Sequence, residues 1–355
     1  MGATANRAIL GNREKIFLTG HSGFKGTWLT LMLEEMGHEV YGYSLEATPS
    51  SLYTRLKRSN AIQESIADIR DLDSLEKAMR IWQPTMVIHM AAQPLVLESY
   101  KFPLETFEIN SQGTANVLSA AFGTESVKVI GAVTTDKVYK NSGTQHAYTE
   151  ADQLDGGSDP YSASKVGAEA AISSWKRIAS VSGGPSIATL RSGNVVGGGD
   201  FSENRLIPDL VRSYVSKVPV QVRNPQSTRP WMHVLDSLVG YLLALRTVSE
   251  KQNHETFNFA PKEESLSVKQ VIEIALGEWP GMFETVMHAS GAAVNESNFL
   301  NLNPDKAIKE LNWNMVWNQK SAVESSIQWW KMYYEQQSAP KELCLQEIEK
   351  VLLNA

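Results

Sequence analysis

Lys15-Ile-Phe-Leu-Thr-Gly20-His-Ser-Gly23-Phe-Lys-Gly26 is the stretch whose reading decides the fold. Its first five residues form an apolar run of strand length, and a helical pattern, Gly26–Met36, follows. Glycines between a strand and a helix allow a tight turn and a close approach of backbone to a pyrophosphate held at the helix N-terminus. Gly20, Gly23 and Gly26, with Ser22, Phe24 and Lys25 between them, are therefore candidate cofactor-binding residues. A glycine triplet alone is a weak signal; its place at the head of further strand–helix units strengthens it.

Those units run outward from it. Short β-branched or apolar runs at Glu39–Ser44, Gln63–Ile66, Thr85–Ala91, Val127–Thr134 and Ser186–Arg191 read as strands. Helical patterns at Leu72–Ile81, Leu104–Ala121 and Tyr161–Ala179 lie between them. This alternation predicts an α/β fold built on a doubly wound parallel sheet of Rossmann type. Beyond Arg191 the rhythm breaks into a glycine-rich stretch and a series of prolines, then returns with a helix near Asp236 and a strand at Thr256–Phe259. The expected division is a cofactor domain of residues 15–193 plus 236–260. Residues 194–235 plus 261–355 would form a smaller, discontinuous C-terminal substrate lobe.

Composition narrows the class. The 355 residues carry a net charge of −6, which leaves no general nucleic-acid footprint. Cys344 is the one cysteine, so no intrachain disulfide can form, and a reducing compartment such as the cytoplasm is expected. Met1–Asn12 lacks an apolar stretch of signal-peptide length, and no run of about 18 apolar residues could span a bilayer.

Tyr161 and Lys165 share one helix face, four residues apart, so the ammonium can stand near the phenol. A cation there favours the phenolate and makes Tyr161 a base toward an alcohol. Thr135, Asp136 and Lys137 follow the fifth strand, at the edge of an α/β sheet where ligands bind. An acid and an amine beside the threonine exceed what simple alcohol oxidation needs. Arg205, Arg223 and Arg229, in the proline-rich lobe, offer planar forks suited to a diphosphate. His89 reads as a hydrogen-bonded core histidine, and the aromatic cluster Trp313, Trp317, Trp329 and Trp330 as lobe core.

With its GxxGxxG spacing and Tyr-x-x-x-Lys, the chain resembles the extended short-chain dehydrogenase/reductase family. The Thr135-Asp136-Lys137 signature narrows the resemblance to sugar-nucleotide 4,6-dehydratases, and its lysine is similar to the CDP-glucose branch. Gly20–Trp28, Ala91–Val96, Ser158–Lys165, Arg191–Asp200, Arg205–Asp209 and Arg229–Val234 carry the likeness across most of the chain. The departures are Leu97-Glu98, where a basic residue is expected, and the divergent stretch Asn141–Tyr148.

The resemblance implies NAD as cofactor. Ser44 would stand where the family often has an acid gripping the adenosine ribose, with Glu46 two residues on and no arginine adjoining the strand end. Asp68 and Ile69 would contact adenine, Ala91, Ala92 and Gln93 would wall the cofactor, and Asn110 would be the structural and proton-relay asparagine. Asn194, Arg205, Leu206, Arg223, Arg229 and His233 would belong to the substrate side. The implied reaction removes water from an NDP-hexose, CDP-D-glucose in this branch, giving the 4-keto-6-deoxy sugar. C4 is oxidised with Tyr161 as base, Thr135 bonds the C4 oxygen, Lys165 holds the phenolate and the cofactor ribose, Lys137 takes the C5 proton and Asp136 protonates the departing C6 hydroxyl. No metal is expected. The helices Leu104–Ala121 and Tyr161–Ala179 correspond to those of a homodimer contact, alone or within a pair of dimers. The competing readings are a dehydratase or 4-epimerase acting on another NDP-hexose, and a catalytically silent NAD-binding regulator.

Overall fold

A computed structural model describes residues 9–141, 143–157, 159–222, 224–280, 285–287 and 300–354. Arg223 lies outside the described residues. Seven parallel strands form the main sheet: β1 (Lys15–Thr19), β2 (Glu39–Ser44), β3 (Gln63–Ile66), β4 (Met86–His89), β5 (Val129–Val133), β6 (Ser186–Ser192) and β7 (His254–Phe259). Their spatial order is β7-β6-β5-β4-β1-β2-β3, so the direction of winding reverses between β1 and β4. In an open α/β sheet that reversal opens a crevice at the carboxyl ends of the strands.

The central strands β1, β4, β5 and β6 are buried along nearly their whole length because both faces are covered. Ile16, Phe17 and Leu18 of β1 are wholly buried, and each such side chain contributes about 1.5–3 kcal/mol. One face packs on α1 (Phe24–Glu35) and α5 (Val234–Lys251), the other on α2 (Leu72–Trp82), α3 (Gly113–Phe122) and α4 (Pro160–Ser182). Helix α1 is buried nearly all round, since it also meets α5 and the helix Pro340–Asn354. Trp313, Trp317, Trp329 and Trp330 are almost fully buried in that same core, shared with the sheet and α1. Trp28 of α1 donates from its indole to the Gly198 carbonyl at 3.1 Å, tying the glycine-rich stretch after β6 to the sheet.

Helix α4 starts where its sequence dictates. Asp159 accepts from the Ser162 amide at 2.8 Å, Pro160 occupies the first turn, and Gly183 at φ +78° follows the last residue. The single helix expected over Leu104–Ala121 is instead three pieces: Pro103–Phe107, a π-helical turn at Glu108–Gln112, and α3. The widened turn lets Asn110 aim inward, where it satisfies Gln93 and Ser164; π-turns commonly mark such sites. Among the described residues no helix is long and apolar enough to cross a membrane.

Gly26 leaves no room for a side chain: an added Cβ would overlap the Gly20 carbonyl oxygen and lie 2.7 Å from the His21 Cα. Gly26→Ala should therefore cost about 1–3 kcal/mol in denaturant unfolding, the scale of overpacking. An unchanged midpoint would show that the turn can yield.

Candidate active site

At the crevice the glycine turn and the end of β4 nearly touch. Gly20 has φ +75°, and a Cβ there would stand 2.7 Å from the Ala91 amide nitrogen. Its own N–H donates to the Tyr43 carbonyl at 2.8 Å. Gly23 precedes α1 with no side-chain cap, so the first amides of that twelve-residue helix face the turn. Ser22 and Ser44 share a hydrogen bond at 2.7 Å, and Ser44 also donates to the Leu45 carbonyl at 3.0 Å. Lys25 reaches across to the buried Tyr241, donating to its hydroxyl at 2.8 Å.

Asp68 is half-buried and chelated by Arg70; burial pushes its carboxyl up, but the Arg70 hydrogen bonds at 2.7 and 3.0 Å hold it below the ordinary value. Ile69 is buried against Gly113 of α3, while Leu45 and Ile66, at the ends of β2 and β3, are exposed. Ala91, Ala92 and Gln93 are half-buried beside the turn. Asn110 clamps Gln93 on both sides, accepting from its N–H at 2.9 Å and donating to its C=O at 3.0 Å. The same amide donates to the Ser164 hydroxyl at 2.9 Å, one residue before Lys165.

His89 is the hydrogen-bonded core histidine the sequence suggested. Thr114 donates to the Asn110 carbonyl at 2.6 Å, so its oxygen accepts from His89 Nε2 at 3.0 Å. His89 Nδ1 then accepts from Thr19 at 2.7 Å, and the Thr19 oxygen accepts from the Met90 and Ala91 amides. Burial, with Lys165 nearby, pushes its pKa down to about 3, which keeps the ring neutral as this chain of bonds requires.

Past β5 the chain turns sharply through Asp136–Val138. Thr135 opens the turn by accepting from the Lys137 amide at 3.3 Å, and it donates to Asp136 Oδ1 at 2.9 Å. Thr135 and Asp136 are buried, and Lys137 is half-buried. Burial drives the Asp136 carboxyl up, although Lys137, Thr135 and Arg229 oppose it. Tyr161 faces this turn: burial pushes its phenol up to about 12, opposed by a Thr135 hydrogen bond and by the charge of Arg205.

Lys165 is buried on α4. Its ammonium donates to the Val133 carbonyl at 3.0 Å, and the cation acting on the phenol here is Arg205. Burial pushes Lys165 down to about 8, against the pull of Glu169 one turn further along α4 and with the repulsion of Lys25.

Past β6, Asn194 is half-buried on a short strand whose residues pair with Trp231–His233. Arg205 bonds Asp200 at 3.3 Å at the head of the helix Leu206–Ser216, and Leu206 packs on the core. Arg229 is buried, its guanidinium donates to the Thr228 carbonyl at 2.8 Å, and its charge reaches Asp136. His233 corrects the sequence expectation. It is fully buried, stacks on Trp317 at 4.0 Å and accepts from the Leu235 amide, because it caps α5 rather than facing the cleft. Sequence reasoning missed Glu169 and Arg191, a buried pair behind the turn. The spacing Tyr161, Lys165, Glu169 along one helix face was the available signal for the first of them.

A glycine turn at the switch point, small residues on the facing strand and a tyrosine and lysine on one buried helix face define a dinucleotide-dependent enzyme. The chain belongs to the NAD dependent epimerase/dehydratase family, whose model matches residues 16–260. It is 36% identical over 329 residues to the CDP-glucose 4,6-dehydratase of Salmonella typhimurium, covering 90% of this chain and 91% of that protein. It is 24% identical to the dTDP-glucose 4,6-dehydratase of the same organism, over 89% of this chain and 92% of that one. Its fold superposes on a UDP-glucose-4-epimerase from Stenotrophomonas maltophila, crystallised with NAD, with a TM-score of 0.79. That match has 21% identity and covers 92% of this chain and 100% of the other.

The close Gly20–Ala91 approach, the uncapped start of α1 and the exposed Leu45 and Ile66 fit NAD, the cofactor of this family.

The Lys165 environment has a measurable signature. A folded-state value near 8 against 10.5 means the folded chain carries a desolvated cation below pH 8; the penalty fades as pH rises through that interval, where the unfolded chain still binds the proton. Lys165→Met should raise unfolding stability at neutral pH by about 1–3 kcal/mol, with the gain shrinking toward about pH 10. Urea titrations at the two extremes check this, and an equal gain at both would rule out the ammonium as its source.

Proposed function

We propose that this enzyme dehydrates CDP-D-glucose to CDP-4-keto-6-deoxy-D-glucose and water. The observation that carries the reading is Asp136, a buried carboxyl whose environment favours its proton, set between Thr135 and Lys137 and facing Tyr161. A 4-epimerase needs no such acid. The named relative at 36% identity supports cytidine as the nucleotide and glucose as the sugar.

NAD, when bound, would supply a hydride acceptor for C4 and, in its reduced form, a hydride donor for C6. Gly20, Ser22, Gly23, Phe24, Lys25 and Gly26 would hold its pyrophosphate side. Ser44, Asp68 and Ile69 would hold the adenosine, with Ala91, Ala92, Gln93 and Asn110 lining the wall. Tyr161 takes the C4 hydroxyl proton and Thr135 bonds the C4 oxygen. Lys165, swinging from the Val133 carbonyl toward the phenol, stabilises the phenolate with Arg205. The C4 ketone makes the C5 hydrogen acidic; Lys137 would remove that proton and, once C6 has received hydride, return one to C5, while the proton taken from the C4 hydroxyl restores Asp136. Asp136 gives its proton to the C6 hydroxyl, which leaves as water. A carboxyl pushed toward its protonated form by burial suits that role, because a general acid must own the proton it gives.

Asn194, Leu206 and the arginines 205, 223 and 229 would grip the nucleotide diphosphate from the lobe of residues 194–235 plus 261–355, across from the cofactor domain of residues 15–193 plus 236–260. A homodimer through α4 and the segment before the π-turn is supported by exposed apolar side chains there: Phe102, Leu104 (73% exposed), Phe107, Ile178 and Val181 (80%). We place the enzyme in the cytoplasm, a compartment that suits its single thiol.

Three experiments test the reading. Incubation with CDP-, dTDP-, GDP- and UDP-hexoses, scored by mass for loss of one water, should single out CDP-glucose; isomerisation without mass loss would make the protein an epimerase. Tyr161→Phe should abolish reduction of NAD by bound substrate. Lys137→Ala should still permit C4 oxidation while stopping exchange of the C5 hydrogen with solvent, and undiminished exchange would assign the base elsewhere.

A further inference from the structure

Behind the Thr135–Val138 turn lies a buried ion pair that the reaction itself does not use. Arg191 of β6 grips Glu169 of α4 with a two-pronged contact, Nε to Oε1 at 2.8 Å and Nη2 to Oε2 at 2.9 Å. Both residues are less than one-tenth exposed. Burial pushes the Glu169 carboxyl up, but the guanidinium overrides it and keeps the carboxylate ionised.

Each partner spends a remaining bond on one flank of the turn. Thr134, the residue before it, donates to Glu169 Oε1 at 2.6 Å. Tyr139, the residue after it, accepts from Arg191 Nη1 at 2.8 Å and donates onward to Asn258 of β7 at 2.7 Å. Thr135, Asp136 and Lys137 are thus strung between two anchors that share one rigid base. The base is rigid for a physical reason: a buried bidentate pair has one good geometry, and parting it exposes an uncompensated charge to the core.

We propose that the Glu169–Arg191 pair is a positioning clamp for the acid–amine turn, holding Asp136 and Lys137 in register with Tyr161 so that elimination keeps pace with C4 oxidation. The proposal rests on the dehydratase reading. It separates two tasks: Tyr161 stands on α4 and is placed by that helix, whereas Asp136 and Lys137 stand on a short turn and are placed through Thr134 and Tyr139. Severing an anchor should therefore harm the second chemical step, whose acid and base both stand on the turn, more than the first, to which the turn contributes Thr135 alone.

Thr134→Val and Tyr139→Phe each cut one anchor and leave the ion pair intact. With the full-length enzyme, NAD and CDP-glucose, single-turnover absorbance reads the reduction of nicotinamide, and mass spectrometry reads loss of water. Oxidation should stay within about threefold of the unsubstituted enzyme while water loss slows about tenfold or more, the scale of small misplacements of reacting groups. Reduced nicotinamide should accumulate in both variants, and Thr134→Ser, which restores the hydroxyl, should recover elimination. Parallel slowing of both steps, no slowing of either, or failure of the serine to rescue would overturn the clamp. Absence of water loss from the unsubstituted enzyme, on any of the nucleotide hexoses, would overturn the dehydratase reading and the clamp with it.

Discussion

The place where the Gly20 backbone meets the Ala91 amide is the constraint on which the rest of the site depends. Strands β1 and β4 are neighbours whose following segments diverge to opposite faces of the sheet, and the gap between them is the crevice. Only a residue without a Cβ, in the left-handed region, can turn the chain so close to the facing strand. The Thr19–His89 bond directly beneath sets the width of that gap. It is continued through Thr114 to Asn110, and from there to Gln93 and Ser164. The Ala91–Gln93 segment and the tyrosine–lysine helix are therefore parts of one hydrogen-bonded assembly rather than two surfaces that happen to face each other.

Burial then gives each ionisable group a distinct role. Water is scarce around Asp136, Tyr161 and Lys165, so each is pushed toward its neutral form: the acid and the phenol upward, the amine downward. Glu169 escapes this tendency because Arg191 lies against both its oxygens. The same low-dielectric surroundings thus push these three toward neutrality and leave charge where an opposite charge is built against it. Arginines 205 and 229 bring their charge to Tyr161 and Asp136 from the segment after β6, so a ligand that draws them away also changes the electrostatics of this cluster.

Much of this was legible in the residues. The boundaries of β1, β2 and β3 agree with the sequence runs to the residue, because apolar strands flanked by glycine and polar turns leave little choice. The glycine turn, the Tyr161–Lys165 face and the Thr135–Lys137 turn were legible for the same reason: each is local chemistry written in a few consecutive positions. What escaped depended on contacts distant in sequence. The π-turn at Glu108–Gln112 exists because Asn110 must satisfy Gln93 and Ser164, which no periodicity within the helix announces. His233 stood beside Arg229 in sequence, yet it turned away to stack on Trp317, a residue from a segment far along the chain. Lys165 found the Val133 carbonyl before the phenol, since a desolvated ammonium takes the nearest acceptor.

Helix α1 carries a consequence for how the molecule is assembled. It is formed early in synthesis, yet it is sheltered by α5 and by residues 340–354, which leave the ribosome long afterwards. Until they arrive, Trp28, Leu29, Met32 and Leu33 lack part of their covering, and such non-local completion makes folding slow and exposes sticky surface meanwhile. A nascent chain paused midway would be a substrate for chaperones.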